Sequence, residues 1–390
     1  MKITFRTDRD ILYISVVGRI DVSNAPAAEE EIFRIKSENP DKHTVIDADG
    51  LEYISSAGLR VILRLRKEAP KLAIINVSSA VYEILEMTGF TDMITVEKAY
   101  KRLSLEGCEF IAQGANGAVY RYDDETILKT YFNKDALPEI KQERENARRA
   151  LVLGINTAIP YGIVRVGEGY GTVTELLNTA NVTRLICNDP ENLDIPVKYY
   201  VDLLRSMHSV EAEEGDFPDM RETVLGWADF LAPHLPEEVS KKLRRLVSDL
   251  PKKMTVLHGD YHTSNVMIQN GEPLIIDLDT LCVGHPVFEL GSMYNAFLGF
   301  SEIDHEEVKA FLGFDRQTSE RFWRSALKSY LGVSDEARVI DVENKARVIG
   351  YMRLLRRFLR RADSEGSAKR IEHYRNRLIE ATSLVDSLDY

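Results

Sequence analysis

His258-Gly259-Asp260-Tyr261-His262-Thr263-Ser264-Asn265 is followed, after a short apolar run, by Ile276-Asp277-Leu278-Asp279. An Asp, an Asn five residues later and a second Asp beyond the apolar run supply three oxygen-bearing side chains. That set suits proton acceptance and Mg²⁺ binding in phosphoryl transfer. Upstream, Gln113-Gly114-Ala115-Asn116-Gly117-Ala118-Val119-Tyr120 reads as a glycine-rich turn between extended segments. Lys129 follows in the strand-like run Thr126-Ile127-Leu128-Lys129. Each piece alone is a weak signal, and the order in which they occur strengthens all of them.

A phosphoryl-transfer site needs positioned phosphates, neutralised charge and an oriented nucleophile. Backbone amides between Gly114 and Gly117 suit the first need, because glycine permits tight, unusual dihedrals. The same turn also suits a plain hairpin. It lacks the GKS/GKT ending of a P-loop and the spacing of a dinucleotide fingerprint. Lys129 needs an anionic partner, and Glu143 and Glu145 are the candidates on the helix that follows. Glu143 is preferred, because it precedes Ala147 by four residues and can share an inward face with it. The alternative is that both are solvent-facing charges. Asp260 would accept the proton of an acceptor hydroxyl or orient it. Asn265 and Asp277 would bind Mg²⁺, a hard ion that prefers oxygen. Asp279 either assists the metal or caps the next turn. His258 reads as structural. The i,i+4 spacing of His258 and His262 lies in a loop with no further ligand set, which argues against zinc.

Residues from about 105 to about 330 resemble the aminoglycoside phosphotransferase and choline kinase-like branch of the protein-kinase-like fold, of which the HGDxxxxN segment is the signature. Eukaryotic protein kinases usually carry Arg where Gly259 stands and Asp-Phe-Gly where Asp277-Leu278-Asp279 stands, and no Ala-Pro-Glu segment is found here. The resemblance implies ATP and Mg²⁺ as cofactors, with Lys129 pairing with the α/β-phosphates. It implies that the connection from Glu175 to Leu177 supplies backbone hydrogen bonds to adenine. It also implies a small strand-rich lobe at about 105–177 and a large helical lobe at about 178–390. Gly284-His285-Pro286-Val287-Phe288-Glu289-Leu290 is similar to the family segment after the metal Asp, where the acid is mainly structural. Arg353, Arg356, Arg357, Arg360 and Arg361 cluster on one C-terminal helix. Arg353, Arg357 and Arg360 fall on roughly one face, which suits either a solvated surface or an anionic partner.

The first hundred residues read as a separate α/β domain. Ile11 to Gly18 forms a strand, Asn24 caps a helix to about Asn39, and Thr44 to Asp47 forms a short buried strand. Ser55-Ser56 opens a second helix, Ala73 to Val77 is a strand, and Val81 to Met87 is another helix. Strands alternating with helices argue for one sheet covered by helices. Gly18-Arg19-Ile20-Asp21, Tyr53-Ile54-Ser55-Ser56-Ala57-Gly58-Leu59-Arg60 and Leu85-Glu86-Met87-Thr88-Gly89-Phe90 make this stretch resemble a STAS domain, the fold of bacterial anti-sigma-factor antagonists. The resemblance implies that Ser56 is a phosphate acceptor, although Ser55 stands where the family carries Asp. The residues themselves allow two readings. A helix start favours an anion, so Ser56 suits a phosphate switch. Ser55 and Ser56 also suit simple N-capping.

The fold expected is therefore multidomain, α/β and α+β: a STAS-like domain over 1–102, then a bilobal protein-kinase-like domain over 103–390. At 390 residues the chain suits two or three domains. The formal charge of −12 is uneven, because residues 1–103 carry 15 basic and 16 acidic residues and the remainder carries 35 and 46. Such an acidic domain is a poor nucleic-acid binder. No apolar run approaches the roughly 20 residues a membrane span needs, and the N-terminus lacks a signal-peptide core. Cys108, Cys187 and Cys282 lie far apart without metal-ligand spacing, as expected of reduced thiols in a cytoplasmic protein.

These observations frame two functions. One is an ATP-dependent phosphotransferase acting on an unknown hydroxyl acceptor, either a small molecule or a protein. The other is a partner-switching regulator, in which the STAS domain binds a protein partner and the kinase-like domain senses nucleotide or modifies Ser56.

Overall fold

The computed structural model describes residues 1–114, 116–177, 179–361 and 366–390. The chain divides into two compact units, Met1–Leu103 and Ser104–Tyr390.

The first unit is built on strands β1 (Lys2–Asp8), β2 (Ile11–Ile20), β3 (His43–Ile54), β4 (Ala73–Val77) and β5 (Thr95–Lys98), which lie in that order in one sheet. β1 and β2 form an antiparallel hairpin, and the remaining neighbours pair in parallel. Helices α1 (Ala25–Ser37), α2 (Ser56–Glu68), α3 (Ser79–Met87) and the short α4 (Phe90–Met93) provide the crossovers. Alternation places Leu12, Ile14 and Val16 of β2 in the core, where they meet Val61, Ile62 and Leu65 of α2. Each such side chain contributes about 1.5–3 kcal/mol by leaving water. The unit ends at Leu103, the last residue of the short strand β6 (Lys101–Leu103).

Several elements differ from the sequence expectation. β3 runs on through Asp49, Gly50 and Glu52 to Ile54, well past the expected end at Asp47. Register shifts against β2 let it turn its charged residues outward and still bury Leu51 and Ile54. Asn24 stands at the start of α1 without capping it. Its side chain instead accepts from the Asp21 N–H (2.9 Å) and donates to the Arg19 carbonyl (2.9 Å). α3 begins at Ser79, ahead of Val81, because Ser78 caps it through the Val81 N–H.

In the second unit, β7 (Glu109–Gln113), β8 (Gly117–Arg121), β9 (Thr126–Tyr131), β10 (Pro160–Val166) and β11 (Gly169–Glu175) lie side by side in the order β10-β11-β9-β8-β7. All of these neighbours pair antiparallel. Helix α5 (Leu137–Val152) follows β9 and packs against β10 and β11. After β12 (Ala180–Asn181) come helices α6 (Val182–Asn188), α7 (Asp194–His208), α8 (Met220–Leu231) and α9 (Glu237–Ser248). Four short strands follow: β13 (Val256–Leu257), β14 (Val266–Gln269), β15 (Glu272–Ile275) and β16 (Cys282–Val283). α10 (Val287–Phe297), α11 (Glu306–Leu312), α12 (Arg316–Leu331), α13 (Glu336–Leu359) and α14 (Ser367–Ser383) complete the chain.

The helices share one apolar core in which the rings of Tyr200, Tyr261, Phe297 and Phe322 meet at 4.6–5.8 Å. That core fixes the ends of β13, β14 and β15, between which the oxygen-bearing residues of the HGD segment are strung.

Candidate active site

The loop from His258 to Asn265 joins β13 to β14 and is held from beneath. His258 is fully buried. Its Nδ1 accepts the Asp260 N–H (3.3 Å), which leaves Nε2 to donate to the Ile276 carbonyl (3.0 Å). Glu289, fully buried on α10, accepts the N–H groups of His258 (2.5 Å) and Gly259 (3.1 Å). Burial opposes the charge of Glu289. The nearby His208 and His258, together with the backbone donors, hold its carboxyl below the usual carboxylate range. His208 Nε2 lies 4.0 Å away, beyond hydrogen-bond reach. The sequence reading of His258 and Glu289 as structural residues agrees with this geometry.

Glycine at 259 is required. Its φ is +80°, and an added Cβ would lie 2.5 Å from the Thr280 carbonyl oxygen. The Gly259 carbonyl is also engaged, by the Ser292 hydroxyl (3.0 Å) and by Arg353 Nη1 (2.8 Å). Arg353 in turn points Nη2 at Asp260 Oδ1, 3.6 Å away. The Asp260 carboxylate is nearly half exposed, so it is anchored at its backbone and open at its side chain. His262 Nε2 lies 3.8 Å from its other oxygen. Burial lowers the His262 imidazole against the opposing pull of Asp260, so His262 stands as a neutral neighbour. Asn265 is buried and ties the loop together, its Nδ2 donating to the Asp260 carbonyl (3.2 Å) and its own carbonyl accepting the Ile276 N–H (3.0 Å).

Across the cleft, Lys129 of β9 meets Glu143 of α5, Nζ to Oε1 2.8 Å. Glu145 is occupied instead by Arg148 (2.8 Å) and Arg149 (3.0 Å). Tyr131 donates to the second Glu143 oxygen (2.8 Å). Burial alone would lower the Lys129 ammonium, but Glu143, Tyr131 and Asp277 together raise it above its usual value, so it stays charged. Asp277 lies 3.5 Å from Lys129 Nζ. Its backbone is left-handed, φ 64° and ψ 65°. Holding a non-glycine residue there costs about 1–3 kcal/mol, and such strain clusters at functional sites. α5 supports this turn as well, because Asn146 Nδ2 donates to the Leu278 carbonyl (2.9 Å). One helix thus positions both the lysine and the strained aspartate. Loss of solvation in the cleft, then the nearby Asp277 and Glu143 carboxylates, push the Asp279 carboxyl up to about 6.

The glycine turn and the lobe connection differ from expectation. Neither Gly114 nor Gly117 has a positive φ. Gly114 donates its N–H to the Gly117 carbonyl (2.9 Å) and has open space where a Cβ would go. Gly117 is needed for packing, since its Cβ would lie 1.9 Å from the Thr130 carbonyl oxygen on β9. Ala115, between them, lies outside the described residues. In the lobe connection, the Glu175 N–H is taken by the Ile159 carbonyl (3.0 Å) and the Leu176 N–H by Glu125 (2.7 Å). Glu175 therefore has no free N–H for a base. The Leu177 carbonyl accepts from Thr179 (2.9 Å). Asn178, which follows Leu177, is outside the described residues.

Arg353 and Asn146 are the site residues that sequence reasoning passed over. Arg353 was read as part of an arginine face suited to solvent or to an anionic partner, whereas the structure brings it across 94 residues to Gly259. Asn146 is a buried amide in a helix, and a polar residue spaced three from Glu143 was the available signal. Among the described residues no group of three or more His, Cys, Asp or Glu side chains converges as a metal cage. Asn265 and Asp277 still fit Mg²⁺ in a site of another kind. That ion takes one or two carboxylates and completes its shell with waters and substrate phosphates.

In the first unit, Ser55 is the N-cap of α2, its hydroxyl accepting the Gly58 N–H (3.4 Å), and it is buried. Ser56, the first residue of the helix, is exposed. The two serines that the sequence left as joint candidates for the cap are thereby separated.

A fold of this kind, with this loop and this lysine–glutamate pair, defines a kinase-like phosphotransferase architecture preceded by a STAS-type sheet. Residues 107–324 match the phosphotransferase enzyme family, and residues 2–105 match the STAS domain. The chain belongs to the phosphotransferase enzyme family and carries an N-terminal STAS domain. BtrV of Bordetella bronchiseptica, named for anti-sigma factor antagonism, is 31% identical over 100 residues, which cover 25% of this chain and 85% of that protein. Among solved structures, the chain is similar to aminoglycoside phosphotransferase APH(2'')-Ib with ADP bound (14% identity, TM-score 0.48, 77% of this chain and 98% of that one). It is also similar to the streptomycin–ATP–APH(2")-IIa ternary complex (14% identity, TM-score 0.49, 79% and 99%). Among the described residues no helix is long and apolar enough to cross a membrane.

Proposed function

We propose that this chain transfers the γ-phosphate of ATP to a hydroxyl group. The observation that carries the reading is the pairing of a charged Lys129, held by Glu143 and facing the strained Asp277, with a backbone-anchored Asp260 whose carboxylate is open. In this reading Lys129 binds the α/β-phosphates. The turn from Gly114 to Gly117 covers the phosphates with backbone N–H groups, and the Glu175–Leu177 connection receives adenine, Glu175 through its carbonyl. Asn265 and Asp277 would hold Mg²⁺, which would supply neutralisation of phosphate charge. Asp260 accepts the acceptor hydroxyl's proton as that oxygen bonds to the γ-phosphorus. The bond to the bridging oxygen breaks, and ADP leaves.

Calorimetry tests the nucleotide half of the reading. Mg²⁺-ATP should bind, and Lys129→Ala or Asp277→Ala should weaken binding by about tenfold or more, equivalent to about 1.4 kcal/mol. Equal affinity in wild type and both variants would overturn it.

The separation of Ser55 from Ser56 favours a second, compatible role. With Ser55 capping the helix, the exposed Ser56 hydroxyl is available as a phosphoacceptor. A phosphate there would add about −1.5 to −2 charges beside a helix N-terminus and change what the STAS domain binds. In this reading the STAS domain contacts a regulatory protein partner and Ser56 sets that contact. Incubation with Mg²⁺-ATP followed by mass spectrometry checks self-modification. Phosphate on Ser56 that is absent in Asp260→Asn supports it, and an unmodified Ser56 in an active enzyme contradicts it.

A further inference from the structure

Resting on the phosphotransferase reading, we propose that the acceptor is a small anionic hydroxyl compound, carrying a phosphate or carboxylate that Arg357 receives beside Asp260. Arg353 and Arg357 lie one turn apart on the same face of α13. Arg353 is fixed by Gly259 and Ser292 and reaches Asp260. Arg357 is exposed, and among the described residues none hydrogen-bonds or ion-pairs with it.

The charges around Arg357 define what it can bind. Asp260 and Glu307 attract it, while Arg353 and Arg361 repel it. Glu307 is already matched by Arg370 through both guanidinium nitrogens. His262, on the far side of Asp260, is neutral and packs against Phe311 (5.0 Å). Among the described residues, Arg353 and Arg357 therefore bring two positive charges towards Asp260 at the acceptor edge of the cleft, in a chain whose net charge is −12. The helix dipole favours cations in a last turn, but it does not require them beside Asp260. Arg356 shows the alternative, lying over the rings of Trp227 (5.8 Å) and Phe230 (6.0 Å).

An acceptor with several ammonium groups would meet repulsion here. A phosphate or carboxylate would gain charge-assisted, bidentate hydrogen bonds from a planar guanidinium. Reach sets the size. Side chains four apart on a helix stand about 5–6 Å from each other at Cβ. A hydroxyl at Asp260, which Arg353 reaches, and an anion at Arg357, one helical turn from Arg353, suit one compact molecule.

The test uses the full chain with its nucleotide site filled by Mg²⁺ and a non-hydrolysable ATP analogue. Glycerol 3-phosphate is the probe, and glycerol, kanamycin and an acidic serine peptide are the comparisons. Wild type should bind glycerol 3-phosphate at least about tenfold more tightly than glycerol. Arg357→Glu should weaken it by about tenfold or more and leave analogue affinity unchanged, and Arg357→Lys should be intermediate. The proposal is overturned if glycerol 3-phosphate binds no better than glycerol, if kanamycin or the peptide is preferred, or if Arg357→Glu changes nothing. Failure of the ATP analogue to bind would instead overturn the phosphotransferase reading, and this proposal with it.

Discussion

In the Asp260 loop His258 and Thr263 have no solvent exposure and Asn265 retains 7%, whereas every residue of β7, leading into the Gly114 turn, is exposed. Hydrogen bonds from α10, α13 and the Leu278 turn converge on the first region, while the second is held by its own strand neighbours and the Gly114–Gly117 bond. The contrast matches the division of labour proposed here. The groups that handle a proton must stay within a fraction of an ångström of their working positions. A cover for phosphates can adapt, because backbone N–H groups are available throughout a turn.

The largest effect separating the two regions should come from Gly259→Ala. The new methyl would meet the Thr280 carbonyl at 2.5 Å in a left-handed backbone. Destabilisation of about 2–4 kcal/mol is expected from overpacking and backbone strain together. Turnover should fall more than 100-fold (roughly 3 kcal/mol or more). Thermal melting and ATP turnover check both, and a near-normal variant would break the comparison.

A middle-sized effect concerns pH. The Asp279 carboxyl lies near 6, with its deprotonated form opposed by burial and by Asp277 and Glu143. Below about pH 6 it gains a proton, and the negative charge beside Asp277 that favours a bound cation is lost. Mg²⁺-ATP affinity should therefore fall as pH drops from 7.5 to 5. Titration calorimetry at several pH values should show that fall, flattened in Asp279→Asn.

The smallest effect sharpens the contrast within the glycine turn. Gly114→Ala meets open space and should change stability by less than about 0.5 kcal/mol. Gly117→Ala pushes a methyl into the Thr130 carbonyl and should cost about 1–3 kcal/mol. Denaturant unfolding of the two variants distinguishes them.

What the sequence disclosed follows the same division between local and distant causes. The opening of α2 at Ser55-Ser56 was legible because a cap is a local event. The choice of Glu143 over Glu145 was legible from helix geometry alone. β1 was not anticipated, since an exposed edge strand reading Lys2-Ile3-Thr4-Phe5-Arg6-Thr7-Asp8 has no buried face to impose alternation. β10 was also missed, beginning at Pro160 and interrupted by Gly162. β3 was cut short at Asp47 because its later charges mimic a loop, though they only line the outer face. Arg353 was illegible for a different reason. Nothing within several residues of it distinguishes it from Arg356 or Arg360, and its role arises from contacts 61 and 94 residues away.

The assignment of Asp260 to the acceptor and of Lys129 with Asp277 to the nucleotide is the central claim. It is tested most directly by Asp260→Asn, assayed for phosphate transfer from γ-labelled ATP and, in parallel, for Mg²⁺-ATP affinity. Transfer should fall by on the order of 10³-fold while affinity stays within about threefold, because Asp260 acts on the acceptor hydroxyl and not on the nucleotide. Wild-type transfer by the variant, or loss of ATP binding equal to its loss of transfer, would contradict the account.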